Sequence, residues 1–332
     1  MKAAVYSKYG PPSVVALAEV AKPHAGDREV LIRVYATTVS TGDHRARTVE
    51  VPGFGPLGRL FFGVIKPRQP ILGTELAGVI ESVGPLVTRF KPGDEVIAFT
   101  GARYGSHAEY RTMREDGLVV AKPANLTFEE ATSLPFGGMT ALPFLRDKAK
   151  IRSGEKVLVV GASGAVGTAA VQIAKHFGAH VTGVTSTGNL DLVYSIGADR
   201  VIDYKTTDFA KTGETWDIIL DTTGTVPFSR CERALNRGGR LVAVMGTLAQ
   251  ALGIGGPSKA SGKHVIAGVV PATVEDLGHI ADLASSGELK PVIDRVYTFE
   301  EVVAAHALVD SGRKRGSVVM TVEPGKVIAL AA

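Results

Sequence analysis

Residues 156–178 hold the densest chemical signal in the chain. Lys156-Val-Leu-Val-Val160 is an apolar, β-branched run that stops at Gly161-Ala-Ser-Gly-Ala-Val-Gly167. A helical pattern carrying Val166, Val171, Ile173, Ala174 and Phe177 starts at once and ends at Gly178. Strand, glycine turn and helix in this order make Gly161, Gly164 and Gly167 a dinucleotide fingerprint with structural context. The turn lets main chain approach a pyrophosphate, and the helix N-terminus offers it free N–H groups and the positive end of a dipole. Ser163, Gly164, Ala165 and Val166 are therefore the expected phosphate contacts. The competing reading is a glycine turn needed only for close strand–helix packing.

The end of the second strand bears on which dinucleotide is bound. An NAD site carries an Asp or Glu about 20 residues past the fingerprint, accepting from the ribose 2′-OH. Here His180-Val-Thr-Gly-Val-Thr185 runs into Ser186-Thr-Gly-Asn189, with no acid. The hydroxyls of Ser186 and Thr187 and the amide of Asn189 can donate to a 2′-phosphate, so NADPH is favoured over NADH. Ser186 and Thr187 also suit a simple N-cap turn. Tyr204 and Lys205 follow the third strand and are placed to flank the adenosine. Later strand ends supply further contacts: Thr222 and Gly224, then Gly246 and Thr247, then Gly268 and Val269.

These residues need a scaffold, and the chain is long enough for two domains: 332 residues, 45% hydrophobic, with 39 glycines. Residues 1–124 carry short strand patterns between Gly and Pro punctuation, such as Val30–Ala36, Ala77–Val83 and Glu95–Phe99. Thr127-Phe-Glu-Glu130 is a capping box opening a helix. From Lys156 strands and helices alternate, with strands expected at 157–160, 180–185, 200–202, 217–220, 240–244 and 264–269. That order predicts an α/β fold: a doubly wound, six-stranded parallel sheet with ligands at the carboxyl ends of its strands. The tail from about 272 reads helix, strand (292–297), helix (299–311), strand (317–322), and is expected to return to the first domain. The division is thus 1–124 with 272–332, and 125–271.

The net charge of +4 comes from scattered basic residues, with one dense cluster at Arg313-Lys314-Arg315. This argues against nucleic acid as the main partner. No run of about 18 apolar residues suggests a membrane span. The lone cysteine, Cys231, cannot pair within the chain, and a cytoplasmic, reducing compartment is expected.

The chain resembles the medium-chain dehydrogenase/reductase superfamily, in its zinc-independent, quinone-oxidoreductase-like (zeta-crystallin-like) branch. The residues that carry the resemblance span nearly the whole length. They are Met1–Tyr6, Asp43, Ile71–Ile80, Val87–Asp94, Gly161–Gly167, Leu192–Asp199, Val201–Tyr204, Asp221–Gly224 and Lys314–Val319. The resemblance implies a GroES-like β-rich catalytic domain, a Rossmann domain, an active-site cleft between them and hydride transfer from a nicotinamide, in a homodimer or a tetramer, with the homodimer expected here. It also places Thr140 near the nicotinamide ring, and Arg315, Gly316 and Ser317 on the pyrophosphate or adenine side.

Zinc is disfavoured by the ligand set. The zinc branch has Gly-His-Glu where this chain has Gly73-Thr74-Glu75, and cysteine where it has Ser40; hydroxyls are poor zinc ligands. Without a Lewis acid, hydride addition to the β-carbon of an enone or quinone puts charge on a conjugated oxygen, where a hydrogen bond suffices. The polar candidates are in Ser40-Thr-Gly-Asp-His44: Ser40 as donor to the substrate oxygen, His44 as proton relay and Asp43 as loop organiser. The same cluster also reads as an ordinary turn. Tyr104 and His107 are weaker candidates. Phe54, Leu57, Phe61 and Phe62 are expected to shape an apolar substrate pocket or lid, or else core or a subunit contact. The function expected is a zinc-independent, NADPH-dependent reductase of quinones or α,β-unsaturated carbonyls. The alternatives are alcohol/carbonyl interconversion and a non-catalytic NADPH-binding redox sensor.

Overall fold

The computed structural model describes residues 1–50, 62–246, 256 and 261–322. Phe54, Leu57, Phe61 and Thr247 lie outside the described residues. The described residues up to 135 and from 293 form one compact unit, and those of 136–292 a second.

The chain begins with β1 (Lys2–Val5) and β2 (Ala16–Glu19), an antiparallel pair. There follow β3 (Glu29–Val39), β4 (Glu75–Val83), β5 (Glu95–Phe99), β6 (Tyr110–Arg114) and β7 (Val119–Ala121). The second unit contributes β8 (Lys156–Val160), β9 (His180–Thr185), β10 (Arg200–Asp203), β11 (Trp216–Asp221), β12 (Leu235–Ala243) and β13 (His264–Ala267). The last two strands, β14 (Ile293–Thr298) and β15 (Ser317–Thr321), belong to the first unit.

In the first unit the sheet order is β14-β15-β3-β4-β5-β7, with β6 also paired to β3. β15 lies antiparallel to β3, Val318 opposite Val39 and Met320 opposite Thr37. Val318, Val319 and Met320 are fully buried there, which explains why the C-terminal segment returns to the N-terminal sheet. One face of this sheet packs Val30, Ile32 and Val34 with Leu76, Ile80, Val318 and Met320, together with Val302, Ala305 and Val309 of the helix Val302–Asp310. Thr127 and Glu130 form the reciprocal cap of the helix Phe128–Thr132, and Pro135 opens the next, Pro135–Pro143.

The second sheet is wholly parallel, in the order β10-β9-β8-β11-β12-β13. The doubly wound sheet expected from the alternation is therefore present. Val157–Val160 are buried throughout, as a central parallel strand requires. Leu158, Val160, Val184, Ile219 and Leu241 form its core with Trp216 and Phe228. Strand order reverses between β8 and β11, which puts the switch point at the carboxyl end of β8.

The helix Val274–Ser285, capped by Thr273, clusters with the second unit. Its Ile280 packs so close to Gly138 that a Cβ there would lie 2.8 Å from the Ile280 side chain. The chain thus re-enters the first unit at Ile293. Cys231 is buried and unpaired, and burial beside Asp221 pushes its thiol up to about 12. Among the described residues no helix is long and apolar enough to cross a membrane.

Candidate dinucleotide and catalytic sites

The glycine turn leaves β8 at its switch-point end. Gly161 has φ +80°, a value that disfavours any side chain. At Gly167 an added Cβ would lie 2.0 Å from the Gly161 carbonyl oxygen, so this glycine permits close strand–helix packing. Gly164 is different: a Cβ there would meet only that oxygen, at 3.6 Å, and otherwise open space. It is the N-cap of the helix Ala165–His176 and no side chain caps it. The first N–H groups of that helix, at Ala165 and Val166, have no intrahelical acceptor. Open space in front of uncapped amides fits a pyrophosphate.

Ser163 projects from the turn with its Oγ accepting from Thr185 Oγ1 (2.9 Å) and Asn189 Nδ2 (3.1 Å). Its own O–H remains to donate. Around the turn, Thr222 Oγ1 donates to the Val160 carbonyl at 2.8 Å and ties the end of β11 to the end of β8. Buried Asp221 organises the following loop, accepting from the main chain of Thr223, Gly224 and Val226. Thr140 sits on the helix that begins at Pro135, donating back to the Phe136 carbonyl at 2.7 Å. Gly137 of that helix packs against the Ala165 carbonyl, so Thr140's helix abuts the start of the fingerprint helix. Gly246 fits tightly against Ala267, while Val269 is 90% exposed.

The donors expected for a 2′-phosphate are differently placed from their sequence reading. Both Asn189 side-chain N–H groups are used, one on Ser163 Oγ and one on Ser186 Oγ at 3.2 Å. The Thr187 hydroxyl donates to Asp203 Oδ2 at 2.5 Å. The second strand ends without an acid, yet β10 brings one to the same corner. Tyr204 is exposed next to it. Neighbouring β-strand order, rather than local sequence, is the signal that finds Asp203.

In the first unit, Ser40 is the N-cap of the helix Thr41–Thr48, in a capping box with Asp43. Asp43 is fully buried: Oδ2 accepts from Ser40 N and Ser40 Oγ, both at 2.7 Å, and Oδ1 accepts from Gly73 N at 2.7 Å. The Ser40 proton is thereby committed to Asp43 and is not free for a substrate oxygen. His44 does not join this pair. Its Nδ1 lies 2.7 Å from Asp310 Oδ1 and its Nε2 3.5 Å from Glu50 Oε2. Asp310 also receives both oxygens' worth of contact from fully buried Arg47, at 2.5 and 2.6 Å, so one carboxylate locks the helix Val302–Asp310 to the helix carrying His44. Sequence reasoning missed Arg47 and Asp310, which stand 263 residues apart.

Tyr104 is buried with its hydroxyl donating to the Gly42 carbonyl at 3.2 Å, and burial near Asp43 raises its pKa well above the ordinary phenol value. His107 bonds the Thr38 carbonyl through Nε2 at 2.9 Å and faces buried His306 edge-on, ring centres 5.6 Å apart. Phe62 packs on the first unit's core, 6.5 Å from the Tyr104 ring. Thr74 and Glu75 are buried, and Glu75 accepts from the Thr38 hydroxyl. Arg315 and Ser317 bond within the first unit, to Asp294 and to the Ser133 carbonyl, with Gly316 between them at φ +54°. Among the described residues, no group of three or more His, Cys, Asp or Glu converges as metal ligands would.

A parallel sheet with this glycine turn at its switch point, in one chain with a β-rich unit, defines a dinucleotide-binding oxidoreductase. Residues 26–124 match the family model described as "Alcohol dehydrogenase GroES-like domain", and 196–320 that described as "Zinc-binding dehydrogenase". The chain is 35% identical to 2-methylene-furan-3-one reductase of Solanum lycopersicum, over 96% of this chain and 79% of that one. It is 30% identical to the chloroplastic NADPH-dependent alkenal/one oxidoreductase of Arabidopsis thaliana, with the same coverage. The solved quinone oxidoreductase from Coxiella burnetii superposes with a TM-score of 0.85 at 27% identity, covering 97% of this chain and 99% of its own. The chain belongs to the medium-chain dehydrogenase/reductase family, in its quinone-oxidoreductase-like branch.

Proposed function

We propose that the protein is an NADPH-dependent, zinc-independent reductase of quinones or α,β-unsaturated carbonyls. The observation that carries this is Gly164: an open, uncapped helix N-terminus at the switch point of a parallel sheet. The activities of its relatives, a 2-methylene-furan-3-one reductase, an NADPH-dependent alkenal/one oxidoreductase and a quinone oxidoreductase, support the substrate class. Ser40 and Thr74 standing where the zinc branch has Cys and His support the absence of zinc, and Ser40's bond to Asp43 gives it another task.

When bound, the nicotinamide supplies the hydride. The chain's own residues bind, orient and manage protons. Ala165 and Val166 amides and the Ser163 hydroxyl hold the diphosphate. Asp43 fixes the loop from Ser40 and the turn at Gly73 together. His44, held at Nδ1 by Asp310 and with the exposed Glu50 carboxylate 3.5 Å from Nε2, is the proton relay for the reduced product. The first unit serves as the catalytic, GroES-like domain and the second as the nucleotide domain. A homodimer belongs to the same reading on family resemblance, and a reducing, cytoplasmic setting on the single unpaired cysteine. Steady NADPH consumption with a panel of enones and quinones tests the proposal. Tight NADPH binding with no turnover of any of them would overturn it in favour of a sensor.

A further inference from the structure

The end of β10 gives the 2′ corner a charge that its own strand lacks. β10 runs parallel to β9 with Asp203 opposite Thr185, one residue before the Ser186–Asn189 turn. One Asp203 oxygen accepts the Thr187 hydroxyl at 2.5 Å and the other the Lys205 main-chain N–H at 2.9 Å. The hydrogen bond from Thr187, then that from Lys205 N, hold this carboxyl below its usual range, with a smaller pull from the Lys205 ammonium. It is therefore ionised at neutral pH.

We propose that Asp203 is a specificity-determining residue for the dinucleotide: it withdraws the Thr187 hydroxyl from 2′-phosphate recognition and opposes that phosphate with like charge. The inference rests on the dinucleotide reading above and deepens it. A hydroxyl has one proton, and Thr187 has spent it on Asp203. Asn189 has spent both N–H groups on Ser163 and Ser186. What remains to meet a 2′-phosphate is the Ser186 and Tyr204 hydroxyls and the Lys205 ammonium. Repulsion between a carboxylate and a phosphate dianion at close range in near-surface water is of a size to weaken binding by on the order of tenfold. Loss of the Asp203 charge accordingly raises the preference for NADPH over NADH by on the order of tenfold.

Titration calorimetry of the intact chain with ADP-ribose and 2′-phospho-ADP-ribose isolates the 2′-phosphate, because the two ligands differ only there. Asp203 is partly exposed, so D203N and D203S keep the fold, which circular dichroism checks. Both variants are expected to bind 2′-phospho-ADP-ribose about tenfold more tightly than wild type, with ADP-ribose changed less than about twofold. Unchanged affinity for 2′-phospho-ADP-ribose in both variants, or an equal shift for the two ligands, would overturn the proposal while leaving dinucleotide binding intact. Failure of the wild-type chain to bind NADPH or NADH at all would overturn the underlying reading, and this one with it.

Discussion

A single methyl group distinguishes a phosphate cradle from a packing glycine. At Gly164 an added Cβ meets only the Gly161 oxygen at 3.6 Å, and φ −81°, ψ 172° is open to alanine. G164A therefore folds, losing at most about 1 kcal/mol as a poorer N-cap. At Gly167 the same methyl lies 2.0 Å from the Gly161 oxygen and 2.8 Å from Ala162. G167A should cost about 1–3 kcal/mol through overpacking, a fall of roughly 2–10 °C in melting temperature. Binding follows a different order. The methyl of G164A occupies the space a phosphate would need to reach the amides of Ala165 and Val166. Each such charge-assisted bond is worth about 1.5–3 kcal/mol, so losing one weakens NADPH roughly 10- to 150-fold. Thermal melts by circular dichroism and NADPH titration by calorimetry read the two effects separately. A G164A variant that melts like wild type and binds NADPH equally well would refute the cradle.

Buried His306, with both ring nitrogens unpartnered, makes the fold acid-labile. Burial first, then His107, Arg47 and His44, hold its pKa well below 6.5. The unfolded chain takes up the proton first, so stability is lost as pH falls below about 6.5; H306F should flatten the dependence of melting temperature on pH between neutrality and about 5. D310A strands the fully buried Arg47 guanidinium and should destabilise the first unit by about 3 kcal/mol in urea unfolding, whereas a loss under about 0.5 kcal/mol would show the pair to be dispensable. S40A removes the cap and should cost about 1 kcal/mol of stability. Because the Ser40 proton is given to Asp43, the same variant should keep kcat within about threefold, and a drop beyond a hundredfold would restore Ser40 as a direct donor.

Local pattern made the second unit legible. An unbroken buried strand at Val157–Val160, a glycine turn and a helix predicted the parallel sheet and the turn at its switch point. The Thr127–Glu130 cap was equally readable because all its partners are neighbours in sequence. The return of β15 to β3 followed from counting strands left over after a complete sheet. What local pattern could not show were contacts made by tertiary proximity. Nothing near His44 announces Asp310, and nothing near Thr187 announces Asp203 until β9 and β10 are known to be adjacent. The 2′ corner illustrates the cost: Ser186, Thr187 and Asn189 read as free donors, whereas the structure uses the Thr187 and Asn189 donors internally.

Conjugate hydride addition by a nucleotide seated on the Gly161–Gly167 turn fixes where the transferred hydrogen must appear in the product. Reduction of an enone with NADPH deuterated at the transferable nicotinamide position, followed by NMR of the product, tests it most directly. The expected product is a saturated ketone carrying deuterium on the former β-carbon. An allylic alcohol with deuterium on the former carbonyl carbon would contradict it.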